Sequence, residues 1–228
     1  VYPKADWAPK FVRAKTTFQA LAKDTVSAYL GTVSLMSTEL RREVFSNDFK
    51  RTLGGYCAME VFRMHLSNAP NLDPLSLAQY LDVKTYLPGD ILTKVDRASM
   101  HHSLEVRVPL LDHKLVEWMA KVPTSLRLRG GEGKYLLKKS MEPHLPNDIL
   151  YRRKMGFSVP LASWLRGPLR ERAHSAINES ALTTSGLFNR DALDKMMRQH
   201  TAGVRDNSEY LWQVLMFDAS WKAINPST

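Results

Sequence analysis

The chain has 228 residues, 44% hydrophobic and 24% charged, a balance that suits a globular protein with apolar surface enough for a core. Its 32 basic against 23 acidic residues give a net charge of +9, which favours an anionic partner, and nucleic acid, a membrane surface and a nucleotide phosphate all qualify. A single cysteine, Cys57, excludes an internal disulfide framework and a multi-cysteine zinc site and fits a reducing cytoplasm; no apolar run nears the ~18 residues of a membrane span, and no signal-peptide hydrophobic region opens the chain.

Hydrophobic spacing predicts a helix over residues 10–30, with Phe11, Ala14, Phe18, Leu21 and Ala22 on one face and Asp24 capping a following turn at Val26 and Tyr29. Short helices are expected over 38–45 and 48–53, interrupted by Ser46-Asn47 and closed by Gly54-Gly55. Residues 56–66 read as a helix facing inward through Met59, Phe62 and Leu66. Asp73-Pro74, a capping side chain before a proline at the first helical position, starts another that runs to about Tyr86 on Leu77, Tyr80 and Leu81.

Asp90, after the Pro88-Gly89 breaker, is expected to cap the next helix. Its inward stripe is Leu92, Val95 and Ala98 with Ser99, and Asp96 and Arg97 lie in its middle. Alternation of Leu104, Val106 and Val108 with Glu105 and Arg107, ahead of Pro109, makes the exit extended. Charged groups beside an apolar run at a helix end can grip a small charged ligand, and structural ion pairs account for the same residues equally well.

Asp112 caps a helix that turns Leu115, Trp118, Met119 and Val122 inward and stops at Pro123. Residues 126–129 alternate as a short strand. Gly130 to Gly133 read as a flexible loop feeding a helix over 134–142, an arrangement that can cradle phosphate although it is neither a Walker motif nor a dinucleotide fingerprint. Lys134 opposes the helix dipole there, which points to a use other than stability. Between Arg127 and Lys154 eight Lys or Arg face three acids. A helical turn follows at 147–151, then the loop Arg152 to Phe157. Pro160 and Pro168 each suit a first helical turn, with Gly167 between them as a stop. Asn189 caps a helix to His200 with Leu193, Met196 and Met197 inward, and Asn207-Ser208 opens a last helix to Trp221 on Leu211, Val214 and Leu215. The reading is mainly helical, with one strand and no repeat. His101 and His102 are adjacent, so their rings point about 100° apart on a helix and make a poor chelate; the other histidines have no ligand spacing, and no metal site is expected.

Three ordered motifs carry a resemblance. Leu104-Glu105-Val106-Arg107-Val108-Pro109-Leu110-Leu111-Asp112-His113, Gly133-Lys134-Tyr135-Leu136-Leu137 and Tyr151-Arg152-Arg153-Lys154-Met155-Gly156-Phe157-Ser158 resemble the synthetase domain of glutamine-dependent (class B) asparagine synthetases. The flank Lys84 to Asp90 is most similar to asparagine-synthetase-like amidotransferases of exosortase and exopolysaccharide systems. The family's S-G-G-x-D-S and G-D-G-G-D-E-L-F stretches and its glutaminase half have no counterpart in the chain.

The resemblance implies a single domain over 1–228, mainly α, the helical C-terminal portion of an α/β adenine-nucleotide α-hydrolase-like (PP-loop) synthetase domain, not expected to be a competent enzyme by itself. It implies ATP and Mg2+ as cofactors, a carboxylate substrate (aspartate in the parent family) and a glutaminase domain as partner. It leaves room for a homodimer and implies no nucleic acid and no membrane. By the resemblance Lys154 steadies phosphate and the tetrahedral intermediate and Glu105 orients or deprotonates ammonia. Asp96, Arg97, Ser103, Arg107 and Lys134 are the expected nucleotide- or substrate-binding residues, with Ser103 standing where many members have glycine. An ion pair with Arg107 or Arg97 is the structural alternative for Glu105. A β-lactam-synthetase-type ligase, a basic helical nucleic-acid module and a helical interaction domain are the competing functional readings.

Overall fold

The computed structural model describes residues 24–69, 71–153, 159–178 and 185–225. The expected helix over 10–30 therefore lies outside the described residues up to position 23, and so do Lys154 and the rest of its loop to Ser158. The described chain is mainly helical and gathers into two compact units, one from residues 1–60 with 158–228 and one from residues 61–157.

The first unit opens with α1 (Thr25–Val33), which Asp24 caps by accepting from the N–H groups of Val26 and Ser27. Next come α2 (Thr38–Val44), capped by Ser37, and α3 (Asn47–Leu53), capped by Ser46 and closed by Gly54 at a φ of 54°, a left-handed position that glycine takes without a Cβ clash. Then α4 (Met59–Ser67) leads into the second unit. It begins three residues later than the spacing predicts, because the Tyr56 N–H closes a turn onto the Leu53 carbonyl. Phe62 is its buried residue, whereas Leu66 is exposed.

In the second unit α5 (Pro74–Lys84) starts on Asp73 as expected and buries Leu81 completely. The expected break and Asp90 cap are not formed. Residues Leu87–Leu92 make a π-helical turn that carries the chain into α6 (Thr93–His101), and Asp90, within that turn, pairs with Lys94 at 3.5 Å. Pro88 is accommodated because its missing N–H falls in the first turn, and the wider ring absorbs Gly89 without ending the helical path. A 3-10 turn at Pro109–Leu111 precedes α7 (His113–Lys121), which Asp112 caps. Trp118, expected inward, is 53% exposed. Leu115 and Met119 are half-buried and Val122 is buried as expected, with Val116 taking the inward place expected of Trp118.

The expected strand at 126–129 is only half formed. Thr124–Arg127 is a helical turn, α8, and β1 is Leu128–Arg129 paired antiparallel with β2 (Glu132–Gly133). Gly130 and Gly131, read as a flexible loop, are the two turn residues of this hairpin, with φ of 57° and 81°, the double positive-φ requirement of a type I′ turn. Arg127 explains the change. Its side chain is 9% exposed and donates to Ser76, Gln79 and Thr124, while Asp73 accepts from Ser76 and Thr124. Coiling 124–127 is what turns that guanidinium toward the start of α5. The unit continues through α9 (Tyr135–Met141) and α10 (Asn147–Leu150).

The first unit resumes with α11 (Leu161–Arg166), α12 (Arg170–Asn178), α13 (Arg190–Thr201) and α14 (Ser208–Ile224). Their apolar stripes enclose one core with α2, in which Leu40, Val44, Leu165, Ile177, Leu193, Met196, Met197, Leu211, Val214 and Leu215 are buried. Asn189 caps α13 as predicted. Chain segments far apart in sequence are joined backbone to backbone, with Asn189 donating to the Val44 carbonyl at 2.7 Å and Ser46 to that of Leu187 at 3.0 Å. A run of edge-on aromatic pairs, Phe49–Phe45–Phe188–Phe217, seals the same seam. No helix among the described residues is long and apolar enough to cross a membrane.

Candidate active site

The charged centre of the sequence becomes a cavity in the second unit. Helix α6 presents Leu92 at its entry, then Val95, Asp96, Ser99 and Met100, positions that share a face because they fall three and four apart. The extended segment after the helix returns along that face and adds Glu105, Val106 and Val108. Together they line a cavity of about 250 Å³. The chain can return there because α6 ends in a tight reversal. The Leu104 N–H donates to the Ser99 carbonyl and the Ser103 N–H to that of Met100, both at 3.0 Å, with Ser103 at a φ of 56°. This is the Schellman arrangement, which satisfies the last carbonyls of a helix and turns the chain back on it.

Of the residues predicted for the site, Asp96 and Glu105 are brought together on this cavity. Arg97, Ser103, Arg107 and Lys134 are not among its lining residues. Arg97 stands exposed on α6 with Nε 4.0 Å from Asp96. Arg107 takes up the structural alternative considered for Glu105, pairing Nε to Oε1 at 2.7 Å, yet both partners are more than 70% exposed. An ion pair so open contributes no more than about 1 kcal/mol, so it yields readily to a better partner for either group. Lys134 precedes α9 with a φ of 59°, an uncommon backbone for a residue with a Cβ. Lys154 lies outside the described residues.

Two carboxylates on otherwise apolar walls, with no cation among the lining side chains, suit a nitrogen-bearing group. Such a cavity can accept hydrogen bonds from an amine and take its proton, and it does so in reach of solvent, with the Asp96 and Glu105 side chains 67% and 71% exposed. Met100 escaped the sequence reading, although it falls four and eight positions after Asp96 and Leu92. Ala98, expected inward, is exposed. Among the described residues no three His, Cys, Asp or Glu side chains gather to hold a metal ion. The magnesium implied by the resemblance finds no protein ligand set among the described residues.

Comparison with known proteins bears on what this cavity serves. The family model described as asparagine synthase matches residues 3–222. The chain is 30% identical over 217 residues to asparagine synthetase [glutamine-hydrolyzing] 1 of Bacillus subtilis, covering 95% of the chain and 33% of that protein. It is 32% identical over 220 residues to a putative asparagine synthetase [glutamine-hydrolyzing] of Mycobacterium tuberculosis, covering 95% of the chain and 32% of that protein. A shorter match, 43% over 77 residues, covers 32% of the chain and 14% of the asparagine synthetase of Gallus gallus. The chain spans about a third of the length of the bacterial relatives, and no solved structure matches it. With the family model matched along nearly its whole length, the chain belongs to the asparagine synthase family.

Proposed function

We propose that this chain forms the helical wall of an ATP-dependent amide-forming site, in a synthetase domain of the adenine-nucleotide α-hydrolase-like (PP-loop) type. In the reaction a substrate carboxylate oxygen attacks the α-phosphorus of ATP. The bond to the β-phosphate oxygen breaks and pyrophosphate leaves, giving an acyl-adenylate. Ammonia, released from glutamine by a glutaminase domain, attacks the acyl carbon; the C–O bond to AMP breaks and one proton is shed. The parent family's acceptor, aspartate, is the proposed carboxylate, and the cytoplasm the proposed place of action.

The observation that supports this best is the pairing of Asp96, on α6, with Glu105, in the first of the three motifs, on one cavity. Glu105 is the proposed group that holds ammonia and takes its proton, with Asp96 beside it polarising the same nitrogen. Lys154 is the proposed phosphate and oxyanion contact, and Arg107 and Arg97 supply positive potential at the rim. Lys134 is the proposed nucleotide contact, a reading supported by its strained backbone, since such strain persists where a side chain is held in place for use.

The test uses the longer protein that carries this chain. Adenylation is followed by ATP–pyrophosphate exchange, and the second half-reaction by amide formation from ammonium. Glu105→Gln is expected to keep exchange within a few-fold and to lose amide formation by about 100-fold or more, the scale of a general base. Lys154→Ala is expected to lose both by about 100-fold or more, the scale of an oxyanion donor. Near-normal rates in both variants overturn the reading.

A further inference from the structure

Two helices of the first unit enclose a second cavity, which shares no residue with the one lined by Asp96 and Glu105. Its volume is about 600 Å³, within the range of sites that take small organic ligands. Helix α12 contributes Arg170 and His174, four residues apart and so on one face. Helix α13 contributes Asp194, Met197, Arg198 and Thr201, which share a face by the same spacing. Met197 is buried in the core and forms the base, while the two arginines and the histidine are exposed.

These polar side chains are not spent on joining the helices. The packing of α12 on α13 is made by Ala173, Ala176 and Ile177 against Leu193, Met196 and Met197, all buried in one core. Asp194 is ion-paired to Arg198, so those two charges cancel and the Arg170 guanidinium is left over. Its Nε lies 4.0 Å from Glu171, whose side chain is 90% exposed, and a pair so long and so wet holds neither group. The His174 ring and the Thr201 hydroxyl have no partner among the described residues. The cavity therefore carries a surplus cation and two further donors over an apolar base.

That donor set selects among anions. A guanidinium takes two oxygens of a phosphoryl group in one fork. A phosphoryl group keeps a third terminal oxygen for an imidazole N–H or a hydroxyl, which a carboxylate lacks. Asp194 is the lining group that repels an anion, and its pairing with Arg198 mutes that repulsion without removing it.

We propose that this cavity binds a small phosphate monoester. Arg170 is the main phosphoryl contact, His174 and Thr201 are further donors, and Met197 lies beneath the carbon part of the ligand. Asp194 keeps Arg198 from the anion and so limits the affinity. The site is additional to the amide-forming one and does not rest on that reading.

The test is equilibrium dialysis of phenyl phosphate, with inorganic phosphate and benzoate as comparisons, on the longer protein that carries this chain. Phenyl phosphate is expected to bind several-fold more tightly than inorganic phosphate, which has no carbon part to place on Met197, and more tightly than benzoate. Arg170→Gln is expected to weaken phenyl phosphate about 10-fold or more, the scale of a hydrogen bond to a charged group. Asp194→Asn is expected to tighten it about 5-fold, the scale of one unit charge at ~4 Å in water. This second change is a gain, so loss of folding cannot produce it, and phosphate sites elsewhere on the longer protein respond to neither substitution. Unchanged affinity in Arg170→Gln, or no tightening in Asp194→Asn, overturns the site. Benzoate bound as tightly as phenyl phosphate overturns the phosphoryl assignment.

Discussion

Ser103 carries the closing turn of α6 with its backbone in the left-handed region, where a side chain costs roughly 1–2 kcal/mol relative to glycine's freedom. Glycine gives back part of this through the entropy of the unfolded chain. Ser103→Gly is therefore expected to stabilise the protein by about 0.5–1 kcal/mol, and Ser103→Val to destabilise it by about 1–2 kcal/mol, both read from urea unfolding midpoints. The departure from the family's glycine was legible in the sequence. The reason was not, because a φ angle depends on where the chain must go next, and here it must return along its own helix to bring Glu105 to Asp96. Lys134 offers a sharper separation of roles. Lys134→Gly relieves the same kind of backbone and removes the ammonium, so it is expected to leave the melting temperature unchanged or raised while weakening ATP binding. A lower melting temperature in this variant counts against a left-handed backbone at that position.

At the scale of elements, the starts of helices were the most readable feature. Asp24, Asp73, Asp112 and Asn189, read as caps, all precede helices, and in each a short side chain accepts from the otherwise free N–H groups of the first turn; Asp90, read as another, caps nothing, and Ser46, read as an interruption, is a cap. That signal is local, so sequence alone carries it. Asn189→Ala is expected to cost about 1 kcal/mol, seen as faster hydrogen exchange through the first turn of α13 and a lower unfolding midpoint. Asp73 gives a pH test. Hydrogen bonds from Ser76, assisted by Thr124 and Leu75, lower its carboxyl to about 2. Its contribution is thus fully present above the ordinary value of 3.8 and is lost as pH falls from there through about 2. Acid unfolding of Asp73→Asn is expected to be flatter than that of the parent across this window. Element types failed where partners were distant. Residues 126–129 alternate like a strand, yet Arg127 coils the first half because its guanidinium finds Ser76 and Thr124, some fifty residues away for Ser76. Pro88-Gly89 reads as a break, yet a π turn passes through it.

For the molecule as a whole, the first unit turns on a buried imidazole. His200 is 0% exposed. Its Nε2 donates to the Ala162 carbonyl and its Nδ1 accepts from the Asn207 N–H, both at 3.2 Å. Arg166 donates to the His200 carbonyl at 3.0 Å, so α11, α13 and the turn into α14 meet at one ring. Burial, followed by the Arg166 charge, lowers its pKa below the ordinary 6.5. Above that value both folded and unfolded chains are neutral here. Below it the unfolded chain takes up a proton that the folded one refuses, so stability declines as pH falls from 6.5 toward the lowered folded value. His200→Gln is expected to lose about 1–3 kcal/mol at neutral pH and to lack that decline, as read from unfolding free energies between pH 7.5 and 5. Leu165→Ala, at a site with 0% exposure, is expected to cost about 2–5 kcal/mol. Leu110→Ala, at 60% exposure, is expected to stay within about 0.5 kcal/mol.

Sequence by itself determined the helical character, the capping residues other than Asp90 and Ser46, the apolar stripes of α13 and α14, and, through three ordered motifs, the family. All of these are written in neighbouring residues or in spacing along one element. Only the tertiary structure decided that Asp96 and Glu105 share a cavity, that Trp118 faces outward, and that Gly130-Gly131 turn a hairpin. Each of these depends on where a second segment lies, and the free energy that selects it comes from contacts between residues the chain keeps far apart.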